Sequence, residues 1–77
     1  MLQPKSQARA APADSAVLTK AVLRAADQLG VTSRALSGII GVSEATVSRM
    51  RKDGFLLERG SKPFELGVLF VRLFRSL

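Results

Sequence analysis

Two hydroxyl residues that recur in the same apolar setting constrain the middle of this chain. Thr32 and Ser43 each follow a valine, and each is followed four positions later by another apolar residue. A hydroxyl residue so placed caps a helix N-terminus, while the flanking apolar pair fixes the angle at which the chain enters the helix. Gly41 stands where the first helix must end, and glycine adopts a positive φ at little cost. The spacing therefore predicts two short helices joined by a tight turn.

The apolar residues of these two helices fall on one face of each, so that the faces can close on each other. They are Leu36, Ile39, Ile40, Val47 and Met50. The second helix then exposes a stripe of residues to solvent, with small side chains near its start and basic ones toward its end. The stripe consists of Glu44, Ala45, Ser48, Arg49 and Lys52. Such a stripe suits entry into a DNA major groove and favours a helix-turn-helix. The alternative is a small all-α domain in which the apolar face is only core and the basic residues are only solvated.

Composition excludes several classes of function. The chain has 77 residues, enough for one small domain, and 47% of them are hydrophobic, so we expect some apolar surface to be reserved for a partner. Cysteine and histidine are absent. The commonest catalytic bases, nucleophiles and zinc ligands are therefore missing, and we expect no enzyme activity, no metal and no cofactor.

The net charge of +6 attracts polyanions, either nucleic acid or an anionic membrane surface. Charge alone does not choose between them. Residues 1–15 do not have the apolar run of a signal peptide, and no stretch approaches the roughly 18 apolar residues of a membrane-spanning helix. We expect a cytoplasmic protein.

The first part of the chain divides at about residue 13. Residues 1–13 have no periodic apolar face and predict a mobile, disordered basic arm. A first helix should begin near Asp14 or Ser15, run to about Leu29 and stop at Gly30. The residues expected on its apolar face are Leu18, Ala21, Val22, Ala25 and Leu29.

The last part of the chain predicts a fourth helix. Gly54 should end the preceding helix, with Phe55 folding back on Met50, and Ser61 should cap the helix that contains Pro63. Apolar residues surround nearly all of residues 63–77, although residues 67–73 also fit a strand. One face can cover the core, and the other indicates either a dimer seam or contact with a missing downstream domain. The expected interface residues are Phe64, Val68, Leu69, Val71 and Phe74. We therefore expect an all-α, four-helix helix-turn-helix domain over residues 14–77.

Four runs of sequence resemble a known family. They are residues 18–30 (LTKAVLRAADQLG), 40–50 (IGVSEATVSRM), 60–62 (GSK) and 71–77 (VRLFRSL). Together they resemble the Xre/MbcA/ParS antitoxins, the antitoxin halves of bacterial toxin–antitoxin pairs whose toxins carry a RES domain. The resemblance covers residues 16–77 and is much more specific than a bare helix-turn-helix match.

The resemblance implies an Xre/Cro-like, homodimeric repressor that binds double-stranded DNA at its own promoter. It also implies a partner, a RES-domain toxin that consumes NAD, bound by a C-terminal domain expected after residues 72–77. Since the chain stops there, we expect a truncated form, a proteolytic fragment or a split gene product. Ser33 stands where the superfamily often has a phosphate-binding glutamine, and Ser37 replaces a small apolar residue.

The leading hypothesis is thus an autorepressing antitoxin whose recognition helix spans about residues 43–53. The residues expected at DNA are Ser33, Arg34, Ser43, Glu44, Ala45, Thr46, Ser48, Arg49 and Lys52. Arg49 is the first candidate for base or phosphate recognition, and general attraction is expected from Arg34, Arg51, Lys52, Arg59 and Lys62. The alternative is a protein-interaction module that works through the apolar segment 63–77 and binds little DNA. Membrane-surface association of that segment ranks third, because its apolar residues are not confined to one face.

Overall fold

The computed structural model describes the backbone of residues 5–77 and the side chains of residues 14–77. The helices are α1 (Lys5–Leu29), α2 (Ser33–Ile40), α3 (Glu44–Lys52) and α4 (Lys62–Ser76). Residues 5–77 contain no strand, and residues 67–73 lie within α4, so the competing strand interpretation is wrong. The prediction of a small all-α, four-helix domain is confirmed.

The first helix starts earlier than the sequence pattern indicates. Because α1 begins at Lys5, the predicted start near Asp14 or Ser15 is wrong. Alanine, the best helix former, is frequent between these positions and supports helix without an apolar face. The mobile arm was predicted for residues 1–13. Of these, residues 1–4 and the side chains of residues 5–13 lie outside the described part of the chain.

Hydroxyl side chains cap the N-termini of the three later helices, as predicted. The backbone N–H of Ala35 donates to Thr32 Oγ1 over 3.1 Å at the start of α2. At α3 the N–H of Thr46 donates to Ser43 Oγ over 3.0 Å. Ser61 does the same for α4, over 3.3 Å. Each cap satisfies one of the N–H groups that a helix start leaves without an intrahelical partner.

Gly41 ends α2 in the conformation that the sequence predicts. Its φ is +77°, in the left-handed region that glycine adopts without a steric penalty. The N–H of Val42 then donates to the carbonyl of Ser37 over 2.9 Å, closing the last turn of α2 just before α3 is capped. The turn between the two motif helices is therefore determined by bonds within the motif itself.

The core combines residues from all four helices and from the loop after α3. It consists of Val22, Ala25, Ala26, Leu36, Ile40, Val47, Met50, Leu57, Phe70 and Val71. The apolar faces predicted for α2 and α3 are confirmed except at Ile39, and that of α1 is confirmed except at Leu29; both residues are 42% exposed. Ile39 lies at the edge of the stripe centred on Leu36 and Ile40, whereas Leu29 lies in the last turn of α1, where the stripe runs past the core.

Two non-local features fix α1 against the C-terminal half. A Cβ atom at Gly67 of α4 would lie 3.1 Å from Val22 Cγ2, so the two helices approach closely at this glycine. The buried Thr19 Oγ1 accepts a 3.0 Å hydrogen bond from the N–H of Leu57, in the loop between α3 and α4. We call α1, this loop and α4 together the support. The core residues of the motif α2–α3 pack against it.

Candidate nucleic-acid interface

The stripe predicted for the recognition helix lies at the surface of α3. Glu44, Ala45, Arg49 and Lys52 are exposed, and Ser48 is half-buried. On the opposite side of the helix, Val47 and Met50 are buried in the core. The structure thus turns these five residues outward and confirms the boundaries expected for this helix to within a residue.

The N-terminus of α3 carries hydroxyl groups that are bonded to each other. Ser43 Oγ and Thr46 Oγ1 lie 3.0 Å apart, while Ser43 Oγ also accepts from the N–H of Thr46. A helix N-terminus attracts anions through its partial positive charge and its N–H groups. The exposed carboxylate of Glu44 in the first turn opposes a phosphate there, although a carboxylate can accept a hydrogen bond from cytosine N4.

Arg49 rests on an aromatic ring. Its Cζ lies 5.1 Å from the centroid of the Phe55 ring, a cation–π contact that holds the guanidinium at the surface. The main chain supports this geometry, since the N–H of Phe55 donates to the carbonyl of Arg49 over 3.2 Å. This pairing was not predicted from the sequence, although an aromatic residue just after Gly54 could have indicated it. The predicted contact between Phe55 and Met50 stays a prediction.

Two of the five residues expected to attract phosphates are paired with carboxylates. Arg51 Nη1 lies 3.0 Å from Asp27 Oδ1, and Arg59 Nη1 lies 3.6 Å from Asp14 Oδ2. Both pairs are partly exposed, so each stabilises the fold by at most about 1 kcal/mol. The carboxylates nevertheless offset the charge of these arginines. The other three residues of this group, Arg34, Lys52 and Lys62, are exposed, and their attraction of DNA stays a prediction.

The first turn of α2 places Ser33 and Arg34 side by side, with Ser33 half-buried and Arg34 exposed. Ser37, one turn later, donates its hydroxyl to the carbonyl of Arg34 over 2.6 Å. The hydroxyl at Ser37 is therefore satisfied within α2 and does not disturb the packing of the motif.

The five residues predicted for an interface do not share one environment. Leu69 is exposed, Val68, Phe64 and Phe74 are half-buried, and Val71 is buried in the core of its own chain. Apolar surface does remain on α4, where Leu69, Leu73 and Leu77 are 57%, 64% and 81% exposed. The structure thus leaves one apolar face of the fourth helix uncovered. That this face forms an interface stays a prediction.

Two further kinds of feature are absent from the described residues. No helix within them is long and apolar enough to cross a membrane. The same part of the chain holds no group of three or more acidic, cysteine or histidine side chains arranged to bind a metal ion.

A family model matches most of the chain. The antitoxin Xre-like helix-turn-helix domain matches residues 8–72, which include all of α2 and α3 and most of α1 and α4. No curated protein and no solved structure matches the chain. The match agrees with two motif helices joined by the turn at Gly41, and it confirms the resemblance at the level of an Xre-type antitoxin. The chain belongs to the antitoxin Xre-like helix-turn-helix family, whose members are DNA-binding antitoxins.

Proposed function

We propose that this antitoxin domain represses its own operon by placing α3 in the major groove of operator DNA. The observation that carries the proposal is the outward stripe of α3, with Arg49 held at the surface by Phe55. A helix docked this way presents its outward side chains to base edges, and its partner helix α2 crosses the DNA backbone.

Arg49 has the leading role in this proposal. A guanidinium bonds the O6 and N7 atoms of guanine with two parallel hydrogen bonds, the commonest specific contact in the major groove. Ala45, Thr46 and Ser48 then lie near neighbouring base edges, where small side chains admit the bases closely. At the start of α3, Ser43 and the first N–H groups favour a phosphate while Glu44 opposes one, so this end of the helix sets the register more than it adds affinity.

Sequence-independent affinity comes from the charge of the whole chain. The net charge of +6 steers the protein to DNA. Arg34, Lys52 and Lys62 displace counterions from phosphates, which makes affinity fall steeply with salt.

The proposal extends to two partners. Pairing with a RES-domain toxin is supported by the resemblance of residues 40–50 and 71–77 to antitoxins of that kind. A homodimer is supported by the exposed leucines of α4, and a two-fold dimer would read half-sites about 34 Å apart. The same leucines also favour a second candidate function, a protein-interaction module that binds a partner and little DNA.

The test is an Arg49→Ala variant measured by fluorescence anisotropy against DNA from upstream of the gene and against random duplex, over a salt series. We expect the variant to lose about 1–3 kcal/mol of affinity for the upstream DNA and most of its preference over random duplex. Arg72→Ala removes the same charge from α4 and should retain that preference.

Equal, weak and steeply salt-dependent binding of both duplexes by the unmodified protein would contradict repression. The net charge would then be acting alone, and the interaction-module function would be favoured. If the upstream DNA is preferred but Arg49→Ala binds it as tightly as the unmodified protein, the proposed role of Arg49 is wrong.

A further inference from the structure

The helices α1 and α4 border a groove that the DNA-binding proposal does not use. It consists of two adjoining cavities of about 530 and 320 Å³. Both are lined by Val17, Ala21, Val71 and Arg75, so they form one continuous depression. Among residues 14–77, all of its lining residues come from α1 and α4, and none belongs to α2 or α3. The groove is therefore a surface separate from the outward stripe of α3.

Its floor is apolar. Val17 is 66% exposed there although it is a large aliphatic residue. Phe64, Val68 and Phe74 are half-buried and contribute further apolar surface along α4. Apolar surface left in contact with water in a concave site is characteristic of a surface that binds another apolar group.

Its rim is basic. The cations along it are Lys20 and Arg24 on α1 and Arg72 and Arg75 on α4. Asp14 is the one carboxylate in the lining, and it lies 3.6 Å from Arg59 outside the groove. Within residues 14–77, the ion pairs are those of Asp14 and Asp27, neither of which involves a rim cation. Four positive charges thus surround the apolar floor.

This combination selects among possible occupants. A DNA phosphate backbone would use the cations but gain nothing from the valine and phenylalanine side chains. A second copy of the chain seated on the same face would bring four cations against four cations, which costs energy. Residues 1–13 of the chain contain no carboxylate and carry Lys5 and Arg9, so they also lack the charge that complements the rim.

We propose that the α1–α4 groove binds an acidic amphipathic helix of another protein. Its apolar stripe lies on the floor of the groove, and its aspartate and glutamate side chains face the four rim cations. Along α1 the groove extends from Asp14 to Arg24, or about 15 Å at 1.5 Å per residue. A partner helix of about three turns fills that length. The proposal does not rest on DNA binding.

The probe for the test is a labelled synthetic peptide of about 15 residues, with leucines at helical i, i+3, i+4 and i+7 spacing and glutamates elsewhere. Two further peptides serve for comparison, one with lysine in place of every glutamate and one with the same residues in scrambled order. We expect only the first peptide to bind, with amide shifts in NMR spectra of the full chain concentrated at residues 14–24 and 64–75.

Charge-reversal variants distinguish peptide binding in the groove from binding at the outward stripe of α3. The double variant Arg24→Glu with Arg75→Glu should bind the acidic peptide at least about tenfold more weakly, because two attractions become repulsions. The matched control, Arg34→Glu with Lys52→Glu, reverses two charges outside the groove and should keep peptide affinity within about twofold. Val17→Asp, a single change on the floor, should also weaken peptide binding.

Several outcomes would overturn the proposal. Equal binding of the lysine or scrambled peptide would do so, as would amide shifts centred on α3. Loss of DNA affinity in the Arg24→Glu, Arg75→Glu variant as large as in the matched control would assign the groove to phosphates instead. A concentration-dependent dimer that Val17→Asp dissociates would assign it to a second copy.

Discussion

Different kinds of contact stabilise the motif α2–α3 and the support, which consists of α1, the loop after α3 and α4. In the motif, the hydrogen bonds that shape each end join residues three to six positions apart, such as Thr46 to Ser43 and Phe55 to Arg49. In the support, the decisive contacts are distant in sequence, such as Leu57 to Thr19, which are 38 positions apart. The surface proposed to read DNA is thus shaped locally, and its position in the domain is set by packing elsewhere.

Two glycines within helices make the contrast concrete. Gly38 of α2 has open space where a Cβ would stand, with no atom within 4 Å apart from its chain neighbours and the backbone of its own helix. At Gly67 of α4, a Cβ would meet Val22, Leu18 and Leu57 at 3.1, 3.5 and 3.5 Å. The first glycine weakens a helix that needs no space there, whereas the second makes room for α1. Substitutions at the two positions therefore have opposite expected effects.

The largest effect should come from Gly67→Leu. A leucine side chain does not fit between α4 and α1, and overpacking of this kind should lower the free energy of unfolding by about 3 kcal/mol. Urea denaturation followed by circular dichroism measures the change. Gly38→Leu makes the same substitution at the open site and should cost nothing measurable or stabilise. Similar losses at both positions would show that the close approach of α1 and α4 is not what Gly67 provides.

The next effect should come from Thr19→Val. The change keeps the shape of the side chain but leaves the N–H of Leu57 without its acceptor, at a cost of about 2 kcal/mol. Thermal unfolding provides the measurement, with Thr19→Ser as the control because it keeps the hydroxyl. If valine is tolerated as well as serine, the bond between α1 and the loop does not stabilise the support.

The smallest effect should be a gain. Gly38→Ala places a methyl group in open space and replaces a poor helix former with the best one, so unfolding should become harder by about 0.5–1 kcal/mol. Calorimetry of both proteins resolves a shift of that size. A loss of stability would mean that α2 is held by a contact that the added methyl group disturbs.

The same contrast explains how far sequence reasoning reached. The caps at Thr32, Ser43 and Ser61 and the turn at Gly41 were predictable because each acts on residues of its own helix. The roles of Thr19 and Gly67 were not predictable, because they depend on which distant element lies opposite. The prediction that Leu29 and Ile39 are buried is wrong for a related reason. Both lie on the apolar faces of their helices, but no neighbouring element covers them.

In the candidate site, too, local features were predictable from the sequence and contacts between distant elements were not. The outward stripe of α3 followed from helical periodicity. The pairing of Arg51 with Asp27 depends on how α3 meets α1, which no local pattern reports. The support of Arg49 by Phe55 is intermediate, since the two residues are close in sequence but meet only because the chain turns at Gly54.

The hydrogen bond from Leu57 to Thr19 slows hydrogen exchange at one amide of the loop after α3. A loop amide that faces water exchanges its proton with the solvent quickly, but this amide exchanges only when the loop separates from α1. Phe55 is two residues away in the same loop and carries the guanidinium of Arg49. The exchange rate of this one amide therefore reports how often the loop that carries Phe55 separates from α1.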